Sequence, residues 1–275
     1  MPELPEVENV KNGLLDLLPG KVIKEVQVLW PNIIKDPAAN IFSRQLAGQT
    51  IENIGRRGKF LLFYLSDYVL ISHLRMEGKF RVETTDTPLA RHTHVVFKLN
   101  GEEELRYLDV RKFGKMSLTS RVRPFEHPSL VSLGPEPTAD KLNDKWVSQF
   151  LQNRKRAIKA CLLDQTLVAG IGNIYADEIL FDARIHPSRP AYSLKQEDIS
   201  RLTKSIITIM DKAVKSGGTT IRTYANAYGD SGTYQHNLKV YGRDQAACTR
   251  CGTRIEKIKV AQRGTHFCPL CQPAE

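Results

Sequence analysis

Leu4, Val7, Val10, Leu14 and Leu18 recur at intervals of three and four residues, the spacing of an apolar stripe along an amphipathic helix. Pro5 suits the first turn of that helix, where a missing N–H costs nothing, and Pro19-Gly20 ends it. From about residue 22 to 120 the period shortens towards two. KVIKEVQVLW, FLLFYLSDYVLISHL, HTHVVFKL and ELRYLDV are rich in β-branched and aromatic residues, as strands are. Asn100-Gly101, between the last two, is a hairpin turn signal. This part therefore reads as one helix with a mostly antiparallel sheet or sandwich. RVRPFEHPSLVSLGPEPTAD is Pro-rich and reads as a linker. Beyond it the periods are helical in DKWVSQFLQ, AIKACLLDQ, ADEILFDARI and ISRLTKSIITIMDKAVK, with VAGIGN as a turn between two of them. The last stretch holds four cysteines and short strands. The expected fold class is α+β: an N-terminal domain over 1–120, a linker over 121–140, a helical domain over 141–237 and a cysteine-bearing module over 238–275.

Composition narrows the class. Of the 275 residues, 41% are hydrophobic and 25% charged, ordinary for a folded soluble protein. No run of 18 apolar residues occurs, which excludes a membrane-spanning helix. Glu3, Glu6 and Glu8 stand where a secretory signal would be basic and then apolar, so the expected location is cytoplasmic. The formal net charge of +10 points to a polyanionic partner, nucleic acid first. No basic amphipathic anchor helix is present, so a membrane partner is discounted.

Cys248, Cys251, Cys268 and Cys271 form a C-x₂-C-x₁₆-C-x₂-C array. That spacing suits one tetrahedral zinc, with two thiolates from each of two tight turns. Two disulfides are the alternative, which a cytosolic setting disfavours. Four protein ligands leave no open position, so the zinc is expected to be structural. It would hold a hairpin too small to have a core of its own. Arg250, Arg254, Lys257, Lys259 and Arg263 crowd that hairpin and are suited to phosphates. Cys161 lies among apolar residues of a predicted helix and reads as core.

The first residues carry chemistry of a different kind. If Met1 is removed, Pro2 offers a secondary α-amine. Such amines titrate near ~8, against ~10.4 for lysine, so more of it is unprotonated near neutrality. A secondary amine that attacks a sugar C1′ gives a charged iminium directly, an electron sink for later eliminations. Glu3 is placed to pass protons to the sugar oxygen or the amine. The helix N-terminus behind them favours the carboxylate and disfavours the protonated amine. An ordinary helix start, with Pro and Glu in the first turn, accounts for part of the same pattern.

PELPEVE at 2–8, LVAGIGNIYADEILF, and the four-cysteine module with KIKVAQRGTHFCPLCQ together resemble the formamidopyrimidine-DNA glycosylase family of bacterial repair enzymes, across essentially the whole chain. The resemblance implies an N-terminal β-sandwich with flanking helices, then a helical domain with a helix–two-turn–helix and a zinc-finger hairpin, with DNA bound between the domains. It implies excision of oxidised purines, 8-oxoguanine and formamidopyrimidines, from double-stranded DNA, followed by strand nicking. Pro2 then corresponds to the Schiff-base nucleophile and Glu3 to the proton donor. Lys59 in RRGKFL is matched with β-elimination, and Arg263 with δ-elimination. Met76, Arg111 and Phe113, in HLRMEGKF and DVRKFG, resemble the residues that fill the gap left by an extruded base. A flexible Met, a wedge-like Phe and a pairing Arg are suited to that task. His73, His92, Lys155, Asn173, Tyr241 and Lys259 match DNA-contact positions. The Gly-rich stretch 217–235 corresponds to a loop over the damaged base.

Taken singly, Lys59 and Arg111 read equally as surface charges, Met76 and Phe113 as core, and His92 as a loop histidine. The joint match sets them apart. The nearest alternative is a sister enzyme resembling endonuclease VIII, which prefers oxidised pyrimidines; Met76, Arg111, Phe113 and PELPEV favour the purine enzyme. A non-catalytic zinc-finger DNA-binding protein would explain the charge and the finger, but not Pro2, Glu3, Lys59 and Arg263 together. A monomer is expected.

Overall fold

Leu4, Val7, Val10 and Leu14 are all buried in the computed structural model, which describes residues 1–219 and 232–274. Residues 220–231, the middle of the Gly-rich stretch at 217–235, lie outside the described residues. The stripe sits on helix α1 (Leu4–Leu15), which ends three residues before its apolar pattern does. Pro19 pushes the residue before it out of helical geometry. The chain instead turns, with the Leu17 and Leu18 amides both donating to the Leu14 carbonyl, and Leu18 stays buried.

The chain divides into two compact units, Met1–Val131 with Thr219–Gly232, and Ser132–Gly218 with Thr233–Glu275. The first unit holds two sheets. One has the order β1 (Ile23–Val28), β7 (Thr93–Leu99), β8 (Glu103–Leu108), β6 (Lys79–Thr84), all antiparallel. The other runs β2 (Ile34–Asp36), β9 (Lys115–Ser120), β5 (Tyr68–His73), β4 (Phe60–Leu65), β3 (Ile51–Arg57), with only the β2–β9 pair parallel. Side chains of both sheets share one core: Val95, Phe97 and Tyr107 from the first, Leu61, Phe63 and Met116 from the second. The stripe of α1 and Phe42 and Leu46 of helix α2 (Ala39–Leu46) complete it. Asn100-Gly101 does lie in the β7–β8 hairpin, with Gly101 at φ +85°.

Strands β3, β6 and β9 and helix α2 carry no strong pattern in the sequence. Their exposed faces are polar, and short elements such as KMSLTS give few positions to read.

The second unit holds α3 (Asp144–Leu151), α4 (Ile158–Leu162), α5 (Asn173–Asp182), α6 (Gln196–Lys215) and a hairpin of β10 (Glu256–Val260) and β11 (Arg263–Phe267). The Pro-rich stretch read as a linker belongs half to each unit. The Arg121 amide donates to the Asp67 carbonyl, and the Gly134 amide donates to Gln165. A Cβ at Gly134 would sit 2.4 Å from the Thr166 carbonyl, so glycine is what permits that close approach.

Glu8 joins α1 to β3. Its carboxylate accepts from Arg56 Nε and from Lys11 Nζ, both at 2.6 Å. Burial raises the Glu8 carboxyl, but those hydrogen bonds outweigh it and hold it below its usual range. A carboxyl depressed in the folded state contributes stability above its unfolded value and loses it as pH falls through the folded one. Glu8→Gln should therefore lower unfolding free energy by about 1–3 kcal/mol near neutrality. In denaturant titrations the gap from the parent should close as the pH drops below the ordinary carboxyl range; a gap independent of acid would contradict the assignment.

Candidate active site

Pro2 and Glu3 are buried, and Glu3 caps α1 with extended backbone. Glu6 secures this end twice. Its Oε2 accepts from the Glu3 amide at 2.7 Å, and its Oε1 accepts from the Thr219 amide at 2.7 Å. The first contact is half of a capping box, legible from the Glu3-x-x-Glu6 spacing. The second joins residues 213 positions apart and could not be read locally. With Met1 in place the Pro2 nitrogen is an amide; removal of Met1 makes it an amine.

Lys59 occupies the β3–β4 turn, with Gly58 at φ +55° and Arg57 paired to Phe60. It is only 5% exposed. Arg56, held by Glu8, also donates to the Gly58 carbonyl at 3.0 Å. A chain of contacts thus links the helix that carries Pro2 and Glu3 to the turn that carries Lys59.

The same unit displays Met76, Arg111 and Phe113 on its surface. Met76 is 38% and Phe113 48% exposed, high for such apolar side chains. The Arg111 guanidinium stacks over the Phe113 ring at 4.7 Å. In this unit, left-handed non-glycine residues mark three loops with expected DNA contacts: Arg75 beside Met76, His92 itself, and Lys112 between Arg111 and Phe113. Such backbone persists only where its surroundings fix it, and it gathers at functional sites.

His73 is buried, and burial, with Arg75 and Lys59 nearby, pushes its pKa down to about 3. It is therefore neutral at physiological pH. Its Nδ1 accepts from the Arg75 amide at 2.9 Å, which leaves Nε2 as the protonated nitrogen, a donor suited to a phosphate oxygen. His73 and Arg75 line a groove of about 720 Å³ together with Lys35 and Lys115. Those two lysines are cations that sequence reading did not single out.

In the second unit Lys155 is exposed between α3 and α4. Asn173 opens α5, and its Nδ2 donates to the Gly264 carbonyl at 3.0 Å. Arg263 is exposed at the start of β11, after a two-residue turn in which Ala261 and Gln262 have φ 49° and 61°. Two successive left-handed residues are the geometry of a hairpin turn that normally selects Asn-Gly, so this turn carried no sequence signal.

A buried ion pair holds the turn. Lys159 Nζ lies 2.7 Å from Asp177 Oδ1 and donates to Thr265 Oγ1 at 2.8 Å and to the Gly264 carbonyl at 3.1 Å. Asp177 Oδ2 accepts from the His266 amide at 2.8 Å. The His266 ring meets Tyr241 edge-on at 5.1 Å, and the Tyr241 amide donates to buried Glu178. Lys259, exposed on β10, pairs across the hairpin with Gly264. Arg250, grouped with the hairpin's basic residues by sequence, instead donates to the Phe181 carbonyl at 2.8 Å and covers the Phe181 ring.

The four cysteine Sγ atoms lie within 4.8 Å of one another. Cys248–Cys271, Cys251–Cys268 and Cys251–Cys271 are 3.9, 3.4 and 3.6 Å apart. A tetrahedron with Zn–S arms near 2.3 Å has edges of roughly 3.8 Å, whereas a disulfide needs about 2.05 Å. The Arg250 and Cys271 amides point at Cys248 and Cys268 sulfur, as they would at thiolates. Burial and the neighbouring thiols raise Cys271, whereas hydrogen bonds from Thr253 lower Cys251 to about 6; four thiolates crowded within 4.8 Å call for a cation to balance their charge. The donor set fits one structural zinc. Cys161 is buried, and burial raises its thiol pKa; it is a core residue.

Family models match along the chain: the formamidopyrimidine-DNA glycosylase N-terminal domain over residues 1–116, the formamidopyrimidine-DNA glycosylase H2TH domain over 133–225, and the zinc finger found in FPG and IleRS over 247–274. Formamidopyrimidine-DNA glycosylase of Enterococcus faecalis is 54% identical over 272 residues, covering 99% of this chain and 97% of the relative. The chain belongs to the formamidopyrimidine-DNA glycosylase family. The Geobacillus kaustophilus member is 50% identical over 273 residues, 99% of this chain and all of the relative. Among solved structures, Lactococcus lactis Fpg in complex with DNA containing an abasic site, and the same enzyme with DNA containing Fapy-dG, each superpose with a TM-score of 0.93 at 43% identity, over 99% of this chain and 100% of theirs.

Two measurements probe the finger of this family member. Lys159→Met should leave Asp177 as an uncompensated buried charge and cost about 3–5 kcal/mol of stability. Pairing it with Asp177→Leu should recover much of that loss in denaturant unfolding; no recovery would break the ion-pair account. Chelation of zinc should abolish the hairpin's dispersed amide NMR signals and leave those of the first unit in place.

Proposed function

We propose that this chain is a bifunctional DNA glycosylase and abasic-site lyase of base excision repair that removes oxidised purines from double-stranded DNA. The buried Pro2-Glu3 pair heading α1 carries the reading, in a chain about half identical to formamidopyrimidine-DNA glycosylases over 99% of its length. With Met1 removed, the Pro2 amine attacks C1′ of the damaged nucleotide, and the base leaves with the electrons of the glycosidic bond and takes up a proton. Glu3 then protonates the ring oxygen as the furanose opens, and an iminium remains. The iminium acidifies C2′, so elimination releases the 3′ strand; Lys59 serves this step, and Arg263 the second elimination on the 5′ side.

DNA phosphates are met by His73, His92, Lys155, Asn173, Tyr241 and Lys259. Met76, Arg111 and Phe113 occupy the vacated space in the duplex. Cys248, Cys251, Cys268 and Cys271 hold zinc, whose part is to fix the hairpin that presents Arg263. No helix among the described residues is long and apolar enough to cross a membrane, and the place of action is the bacterial nucleoid in the cytoplasm.

Borohydride added to protein and a duplex with 8-oxoguanine opposite cytosine should capture a covalent adduct. Pro2→Gly, or a form that retains Met1, should lose most of it while still binding the duplex. Undiminished capture without a free Pro2 amine would overturn the assignment, and faster excision of oxidised pyrimidines would move the chain to the sister activity.

A further inference from the structure

Tyr107 is wholly buried at the end of β8, with its ring 5.1 Å from Phe80. Its phenol oxygen fills two notches left by glycines. A Cβ on Gly78 would lie 2.3 Å from that oxygen, and a Cβ on Gly114 only 1.7 Å from it. Neither distance is possible for real atoms, so the phenol requires Gly114, and at Gly78 it excludes a side chain together with the Leu74 carbonyl, 2.6 Å from the same Cβ. Gly78 closes the loop that carries Met76, its amide donating to the Leu74 carbonyl at 3.0 Å. Gly114 closes the loop that carries Arg111 and Phe113. One phenol therefore touches the backbone of both loops.

Asp109 ties the second loop to the same point. Its Oδ1 accepts from the Arg111 amide at 3.0 Å and its Oδ2 from the Gly114 amide at 2.8 Å. The Asp109 amide donates to the His92 carbonyl, and its own carbonyl accepts from the Lys112 amide. His94 Nε2 lies 2.8 Å from that carbonyl. Burial and the Asp109 carboxylate push the Tyr107 phenol well above its usual pKa, so the group stays a neutral, uncharged wedge.

The geometry points to Tyr107 as a positioning residue: its phenol, seated against Gly78 and Gly114, holds the Met76 loop and the Arg111–Phe113 loop in one register so that the three side chains enter the duplex together. This rests on the proposed gap-filling role of those side chains. A purely structural Tyr107 would predict loss of stability that lowers every activity alike. A positioning Tyr107 affects the step in which a paired base leaves the stack, and spares cleavage at a site that has no base to extrude.

The test uses the full-length zinc-loaded protein and two duplexes, one with 8-oxoguanine opposite cytosine and one with a preformed abasic site. Gly114→Ala should slow 8-oxoguanine excision roughly tenfold or more, since a misplacement of about 1 Å is enough for such losses. Cleavage at the abasic site should stay within about threefold of the parent. Adding Tyr107→Phe to Gly114→Ala removes the colliding oxygen but leaves the ring carbon Cζ 2.8 Å from the new Cβ, so it should restore part of the excision and raise it at least several-fold above Gly114→Ala alone. If Gly114→Ala does not fold, Tyr107→Leu, which empties both notches, should show the same split between the two duplexes. Parallel loss on both duplexes, or full excision by Gly114→Ala or Tyr107→Leu, would overturn the inference. A parent protein that traps no adduct and excises no oxidised purine would instead sink the functional reading beneath it.

Discussion

The structure depends on an N-terminus that does not fray. Chain ends are ordinarily loose, and the chemistry proposed for the terminal nitrogen demands the opposite. Here the first turn of α1 is fixed from three directions: the apolar stripe in the core, Glu6 closed on the Glu3 amide, and Glu8 paired with Arg56. The cost of ordering the terminus is borne by burial and by charge-assisted hydrogen bonds. The Glu8–Arg56 contact also fixes the turn of Lys59, because Arg56 bonds the Gly58 carbonyl. One short segment thereby sets the place of both Pro2–Glu3 and Lys59.

The second unit meets the same requirement by different means. Its hairpin has a small core of Phe181, Val240, Cys248, Ile255 and Cys268, too little for independent stability. The cysteine cluster fixes one end. At the other, Lys159 and Asp177 are both fully buried and reach from the helices to Gly264, Thr265 and His266. Buried ion pairs contribute little net stability, but breaking one is costly. Their value lies in permitting a single arrangement, and what they arrange is the exposed turn of Arg263.

Much of this was legible in the sequence, for physical reasons. The α1 stripe, the main strands and the cysteine spacing are local periodic patterns, and each appears where expected. PELPEVE was among the motifs that carried the family resemblance. Pairings distant in sequence escaped: Glu6 with Thr219, Lys159 with Asp177, and the phenol of Tyr107 with Gly78 and Gly114. Lys159 lies in AIKACLLDQ and Tyr107 in ELRYLDV, where periodicity gives the element but not a distant partner. The Ala261-Gln262 turn escaped because it adopts left-handed backbone without glycine or asparagine. Strands β3, β6 and β9 are recognisable mainly through the partners that cover them.

The central claim is that the secondary amine of residue 2 becomes bonded to the sugar. Peptide-mapping mass spectrometry of the reduced protein–DNA complex tests it most directly. The account predicts a deoxyribose-derived mass on the N-terminal peptide, located at Pro2 and absent from Lys59. The same mass on Lys59, or on any other lysine, would contradict it.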